Sequence, residues 1–339
     1  MKKNLFVISV LLIFALGFTG CSKKNSGETV KKDGATTVRL AIQPSAAFIP
    51  MYVAREKGWI EEALKESQIK VVWQDFTAGP PINESLASGN SDIGLSGDVP
   101  SVSSIAAGQK NEFIGVPANG PDAYAVLISA KNSSIKSASD LKGKKVATVI
   151  GSTGHNLIKK VVEKEGFTLN DIELVNISAG DAGVVLSTGN ADAVVIWEPN
   201  VTRLVDNGTA KVLVSGSYTN LRGTNTFLAR KEFTTANPKI TAVVLEQFAR
   251  AVAELDKLDD ATLNAVSEKL SLEPAQVKKL IGKYNFAVTV DDVDAAALQD
   301  TINFLVSIDV LNKAYSAKDY VNTSYFEASG AKKYLKNKK

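Results

Sequence analysis

Most of the residues able to do chemistry in this 339-residue chain fall in six short loops, each following a predicted strand. They are Gln43-Pro44-Ser45, Ala78-Gly79-Pro80, Gly97-Asp98, Gly151-Ser152-Thr153-Gly154-His155, Ala179-Gly180-Asp181 and Trp197-Glu198-Pro199. Glycines let backbone N–H groups come close to a ligand, and hydroxyls and an amide add neutral donors. None of the six loops contains Arg or Lys. An anion held there depends on helix N-termini and neutral hydrogen bonds, each worth about 0.5–1.5 kcal/mol net and more to a charged group. Such a site suits a small, permanently ionised tetrahedral or planar oxyanion. Turns whose hydroxyls merely cap helices would account for any one loop; the six together point to a binding site.

Individual residues carry competing readings. His155 is the only histidine and lies three residues after Ser152. Nucleophilic catalysis would need a base within reach and a third orienting group, so a helix-terminus donor facing the cleft is the favoured reading. One histidine and one cysteine leave no transition-metal ligand set. Asp98 and Glu198 would repel an anion if aimed at it. Either they receive an ammonium group, as a zwitterionic ligand would supply, or they cap the following helix or pair across the cleft through water. Trp197 is either a lid over an alkyl group or a core residue. Trp59 and Trp73 are expected to pack in the first lobe, and Thr224 and Asn225 are candidate cleft donors beside a chain crossing.

The elements that position these loops repeat. F-T-A-G-P-P…S-G-N-S-D-I-G-L-S-G-D over 76–98 returns as I-S-A-G-D-A…T-G-N-A-D-A-V-V-I-W-E over 177–198. This pairs Gly79 with Gly180, Gly89 with Gly189, Asn90 with Asn190, Asp92 with Asp192 and Asp98 with Glu198. Each copy reads as strand end, small-residue loop, helix, Gly-Asn turn and strand. Around it, strands are predicted at 38–43, 70–76, 92–96, 113–118 and 123–130, with helices at 48–64, 82–88 and 99–107. The pattern restarts with strands at 145–150, 172–178, 192–197 and 211–215, and helices at 156–164, 182–187 and 201–206. Alternation of this kind predicts βαβ units and largely parallel sheets. Helices then dominate, at 239–258, 261–270, 274–284 and 294–310, and are expected to pack on the first lobe. The expected organisation is α/β, with a discontinuous lobe 1 (38–126 and 226–339) and a lobe 2 (127–225). Two crossings between them make a hinge.

The N-terminus, Met1-Lys2-Lys3 followed by an apolar run from Leu5 to Phe18 and then Thr19-Gly20-Cys21-Ser22, reads as a secretion signal over residues 1–20. The run is short for a membrane span, which needs about 20 residues. Around Cys21, the only cysteine, the sequence resembles the lipobox of bacterial lipoproteins, with Phe18 in place of the usual Leu. That resemblance implies lipidation of Cys21, and 21–37 is polar enough to be a disordered tether. The net charge of +3 falls to +1 once Lys2 and Lys3 are removed, which gives no ground for nucleic-acid binding.

Over nearly the whole mature chain the motifs resemble the aliphatic-sulfonate-binding lipoproteins of ABC importers. Those motifs are Q-P-S…A-R-E-K-G-W, F-T-A-G-P-P-I-N-E-S-L-A-S-G-N-S-D-I-G-L-S-G-D-V-P, S-I-K-S-A-S-D-L-K-G-K-K-V-A, G-S-T-G-H-N-L and D-A…S-T-G-N-A-D-A-V-V-I-W-E-P. The resemblance implies a type II periplasmic-binding fold, two α/β lobes with a hinged cleft and a helical C-terminal extension. It further implies a monomer that needs no cofactor, anchored to the outer face of a membrane by lipid, that delivers a small organic anion to an ABC permease with its ATPase. Gln43, Gly79, Pro80, Gly97, Asp98, Ser152, Thr153, His155 and Trp197 match motif positions around the cleft. The chain departs at 176–181, where the family tends to have an aromatic and proline before the D-A pair. It departs again at Trp197-Glu198-Pro199-Asn200, where W-D-P-Y is usual. The wider group binds taurine, nitrate, bicarbonate and thiamine precursors, so ligand identity is less fixed than fold. An enzyme on the same scaffold and a ligand-presenting sensor are the alternative roles.

Overall fold

The computed structural model describes residues 36–131 and 134–335. The expected signal peptide, Cys21 and nearly all of the expected tether lie outside the described residues. Twelve strands follow in chain order: β1 (Thr37–Ile42), β2 (Lys70–Asp75), β3 (Ile93–Gly97), β4 (Asn111–Gly115), β5 (Ala118–Asn119), β6 (Tyr124–Ser129), β7 (Lys145–Thr148), β8 (Glu173–Asn176), β9 (Ala193–Trp197), β10 (Ala210–Ser215), β11 (Asn225–Arg230) and β12 (Asn285–Phe286).

They form two five-stranded sheets and a two-stranded pair. The first sheet runs β2-β1-β3-β11-β4 and the second β8-β7-β9-β6-β10, with β5 paired to β12. In each, the first three strands are parallel, the fourth is antiparallel, and the fifth pairs antiparallel to the fourth. The central strands β3 (IGLSG) and β9 (AVVIW) are buried at every position, as strands covered on both faces must be. Edge strand β2 begins and ends exposed.

The repeat read from the sequence is a repeat of structure. Gly89 and Gly189 both turn at positive φ, +72° and +73°. Asn90 N–H donates to the Ser85 carbonyl at 2.9 Å, and Asn190 N–H to that of Val185 at 3.0 Å. Asp92 Oδ2 accepts from Arg39 N–H at 2.8 Å on β1, and Asp192 Oδ2 from Lys145 N–H at 2.9 Å on β7. Each carboxylate therefore pins the start of its strand to the neighbouring parallel strand.

Some predicted boundaries shift for local reasons. The helix expected over 48–64 is two, Ile49–Glu56 and Trp59–Leu64, because Gly58 adopts φ +64° and breaks the ladder. The strand expected over 113–118 begins at Asn111 and stops at Gly115; Pro117 has no N–H to continue the ladder, and pairing resumes only in β5. The segment expected merely as a return crossing is β11, the fourth strand of the first sheet, paired on both sides. Of the C-terminal helices, Pro238–Glu254 lies on Ile49–Glu56 and Asp292–Ser307 on Asp98–Ala106. Ile82, Leu86, Val102, Phe113, Leu298, Ile302 and Leu305 form the apolar layer under the latter pair. Trp59 and Trp73 pack at the margin of the main core on the other face.

The chain passes between the sheets twice, before β6 and before β11, and the two passages lie side by side. Asn119 bridges antiparallel to Thr224, and Gly120 N–H donates to the Gly223 carbonyl at 3.1 Å. Gly223 sits at φ +64°, and a side chain there would strike the Gly120 carbonyl. Buried Asp294 accepts from Asn119 Nδ2 at 2.9 Å on one passage and from Arg222 Nε and Nη2 at 2.9 and 2.7 Å on the other.

Candidate functional site

At the carboxyl ends of the parallel strands, loops of the two sheets meet around a cavity of about 20 Å3. Gln43, Ala78, Gly79, Pro80, Gly97, Pro100, Tyr124, Ser152, Thr153 and Trp197 line it. Gln43 follows β1; Tyr52 Oη donates to its carbonyl at 3.1 Å and fixes the backbone, while the buried Gln43 Oε1 has no protein partner. A buried amide left unpaired costs about 1–3 kcal/mol unless something else satisfies it. That oxygen is an acceptor, so only a donor such as a water or a ligand N–H or O–H can satisfy it.

The three helices that start here differ in what they offer. Helix Gly79–Ala87 has prolines at its second and third positions, and Gly79 alone of that first triplet carries an N–H. In helix Asp98–Ala106, the Asp98 N–H donates to the Thr224 carbonyl at 3.1 Å, the Val99 N–H to Asp98 Oδ1 at 2.8 Å, and Pro100 has none. Helix Thr153–Lys164 is the open one. Ser152 caps it, accepting from the His155 N–H at 3.4 Å, and the first-turn N–H groups of Thr153 and Gly154 have no partner within the helix itself. Partial positive charge at the cavity thus comes chiefly from the second sheet's side.

The loops touch closely. A Cβ at Gly97 would fall 2.6 Å from Thr153 Oγ1, and one at Gly79 would collide with the Pro100 ring. Thr153 Oγ1 donates to Asp98 Oδ1 at 2.6 Å, and Thr301 Oγ1 donates to Asp98 Oδ2 at 2.6 Å. Burial pushes the Asp98 carboxyl above its ordinary value, against the opposing pull of hydrogen bonds from Thr153, Thr301 and Val99. Glu198, fully buried, accepts from Thr202 N–H at 2.9 Å, Thr202 Oγ1 at 3.0 Å and Lys283 Nζ at 2.6 Å. Both carboxylates are thus occupied by protein donors. Neither carboxylate lines the cavity; Glu198 satisfies the first turn of the following helix through Thr202, whereas Asp98 lies within its own helix and is held by Thr153, Thr301 and the Val99 N–H.

Seven expected residues meet at the cavity: Gln43, Gly79, Pro80, Gly97, Ser152, Thr153 and Trp197. Trp197 is buried in the main core cluster and is also part of the cavity wall. Others stand elsewhere. Asp181 is exposed and accepts from Ser178 Oγ at 2.7 Å, because its loop turns outward rather than into the cavity. His155 faces a separate cavity of about 540 Å3 shared with Lys159, Glu163 and Ser307 to Val310. Its ring lies edge-on to Phe304 at 5.6 Å, and burial lowers its pKa. Thr224 and Asn225 lie buried just behind the wall. The Thr224 hydroxyl has no protein partner, and Asn225 Oδ1 accepts from Tyr124 Oη at 3.4 Å.

Ala78 stands in one of the six inspected loops, but sequence reasoning missed Pro100 and Tyr124. Tyr124 opens the antiparallel strand β6 and pairs directly with Trp197, the last residue of β9. An antiparallel strand starts where its parallel neighbours end, so inspecting only carboxyl ends passes over it. Burial and the nearby Asp98 carboxylate push its phenol well above the usual tyrosine value, so it stays a neutral donor.

Two sheets of the same order, joined by paired passages and facing one another through their carboxyl-end loops, define a periplasmic-binding-protein fold. The chain belongs to the NMT1/THI5-like family, whose model matches residues 45–255. It is 30% identical over 330 residues to a Bacillus subtilis (strain 168) protein named as an aliphatic sulfonates-binding protein, covering 96% of each chain. It is 28% identical over 225 residues to the taurine-binding periplasmic protein of Escherichia coli (strain K12), covering 65% of each. Among solved structures, the alkanesulfonate-binding protein SsuA from Xanthomonas axonopodis pv. citri, bound to MOPS, superimposes with a TM-score of 0.78 at 26% identity. That match covers 86% of this chain and 99% of the other. The nitrate-binding protein NrtA from Synechocystis PCC 6803, at 16% identity and a TM-score of 0.71 over 89% of both chains, shares the fold.

Proposed function

We propose that this chain is a non-enzymatic, extracytoplasmic solute receptor that captures a small organic oxyanion, foremost an aliphatic sulfonate, and hands it to an ABC permease with its ATPase. The observation that carries the reading is a cavity without a charged side chain on its wall, faced by the open N-terminus of helix Thr153–Lys164. Neutral donors at a helix terminus stabilise a charge that is always present without fixing a proton position. The names of the relatives support the same ligand class.

The cavity of about 20 Å3 holds little more than a water, so an organic anion enters only as the facing loops part. Lobe 1, expected over 38–126 and 226–339, and lobe 2, expected over 127–225, are the moving bodies, turning about the paired passages, with all of β6 from Tyr124 moving with lobe 2 and all of β11 from Asn225 with lobe 1. The Gly79 side lies on one and the Ser152-Thr153 side on the other, so the anion is fully engaged only when they meet, and binding shifts the population to that form. Lipidation at Cys21 would keep the receptor beside its permease at the membrane.

Isothermal calorimetry against ethanesulfonate, taurine, sulfate and nitrate tests the reading. Ethanesulfonate is expected to bind stoichiometrically, unconsumed, and more tightly than taurine, because Asp98 and Glu198 are already taken and leave nothing for an ammonium. Tighter binding of taurine would return a carboxylate to the ligand site. Binding of nitrate or sulfate alone would move the chain to another branch of its family.

A further inference from the structure

Helix Asp292–Ser307 belongs to the C-terminal extension and packs on helix Asp98–Ala106, yet along its length it also reaches the helix that carries Ser152 and Thr153. Thr301 Oγ1 donates to the carboxylate of Asp98, whose other oxygen receives Thr153 Oγ1, each at 2.6 Å. One residue earlier, Asp300 pairs with Lys160 Nζ at 2.7 Å. One turn later, Phe304 meets the edge of His155 at 5.6 Å. Lys160 and His155 lie on helix Thr153–Lys164. None of Asp300, Thr301, Phe304, Lys160 and His155 lines the small cavity.

We propose that helix Asp292–Ser307 is a latch that sets how readily the two sheets' loops come together, acting through Thr301, Asp300 and Phe304 without touching ligand. Thr301 and Asp98 are positioning residues: they hold the Thr153 hydroxyl away from the cavity and leave its backbone N–H as that residue's donor to an anion. The Asp300–Lys160 pair is exposed and adds little alone. Buried Thr301, one of the two hydroxyls that donate to the Asp98 carboxylate, is the principal contact. Because apparent affinity scales with the fraction of molecules in the binding-competent form, a latch far from the ligand tunes affinity directly.

The inference rests on the hinge-closure reading above, and its test separates the two. Small-angle scattering of the full chain without ligand compares wild type, Thr301→Val, Thr301→Ser and the double variant Asp300→Asn/Phe304→Leu, with circular dichroism and the thermal transition as checks on folding. Thr301→Val and the double variant are expected to show a larger radius of gyration than wild type, and Thr301→Ser to restore it. Ethanesulfonate should bind Thr301→Val about tenfold more weakly, with its enthalpy of contact little changed. Folded variants whose unliganded radius matches wild type would overturn the latch. Expansion on mutation with no heat from ethanesulfonate in any variant would retain the latch and reject the sulfonate.

Discussion

The two copies of the strand-helix-strand module are nearly the same object until their loops are reached. In both, a glycine at positive φ and an asparagine close the turn, and an aspartate clamps the strand start to its neighbour. The loops then part ways. Ala78-Gly79-Pro80 is drawn into the cavity, whereas Ala179-Gly180-Asp181 stands at the surface, and the second sheet's side meets the cavity through Tyr124, Ser152, Thr153 and Trp197 instead. A sequence repeat therefore carried the scaffold faithfully and a place in the cavity wall only once. The clamp residues answer to strand geometry, which both copies share; the loops answer to what lies opposite them, which they do not.

The strongest way to break this comparison is to give both loop glycines the same side chain. Gly79→Ala drives a methyl into Pro100, whereas at Gly180 nothing but Ser178 Oγ, at 3.8 Å, comes near. Affinity for ethanesulfonate, measured by calorimetry, should fall by about a hundredfold or more in the first and stay within about twofold in the second, since displacing a wall by an ångström costs far more than a surface methyl. Equal losses would mean that the second loop also reaches the ligand.

The module ends sharpen it further. Asp98 and Glu198 are matched in sequence and both buried, but Glu198 holds a lysine and Asp98 only hydroxyls and an N–H. Glu198→Gln leaves Lys283 without its counter-charge and weakens the cap at Thr202. Stability to urea should drop by about 2–3 kcal/mol, toward the lower part of the range for breaking a buried pair because Lys283 is partly solvated.

Asp98→Asn should produce a smaller change with a distinct pH signature. Burial raises the folded-state pKa of Asp98 above its ordinary 3.8, so the ionised form is disfavoured by folding. Its contribution to stability is most favourable below 3.8 and declines as pH rises toward the folded value. The melting temperature of Asp98→Asn relative to wild type should accordingly improve from about pH 4 upward and then level off. A difference that worsens with pH would show that the three hydrogen bonds to the carboxylate outweigh its burial.

What was legible in the sequence followed from chemistry that acts locally. Gly89 and Gly189 announce turns, Ser152 announces a helix start, and Gln43 and Gly97 stand at strand ends whatever the strands pair with. Tyr124 was not legible, because its place in the wall depends on β6 running antiparallel beside β9. The partners of the two carboxylates were hidden for the same kind of reason. Thr301 lies 203 residues from Asp98 and Lys283 lies 85 from Glu198, and no spacing rule reaches that far. The outward turn of Asp181 was also invisible, since a small polar loop reads alike whether it faces solvent or a partner.

The paired passages between the sheets have a mechanical consequence. Two strands held apart could swivel independently and let the halves shear or wobble in many directions. Here Gly120 is bonded to Gly223, and Asp294 grips Asn119 and Arg222 together, so both passages twist as one shaft. Torsion about a single shaft leaves one arc of travel. The mouth of the site would then always open on the same flank, and a transporter waiting there would meet its cargo from a fixed direction.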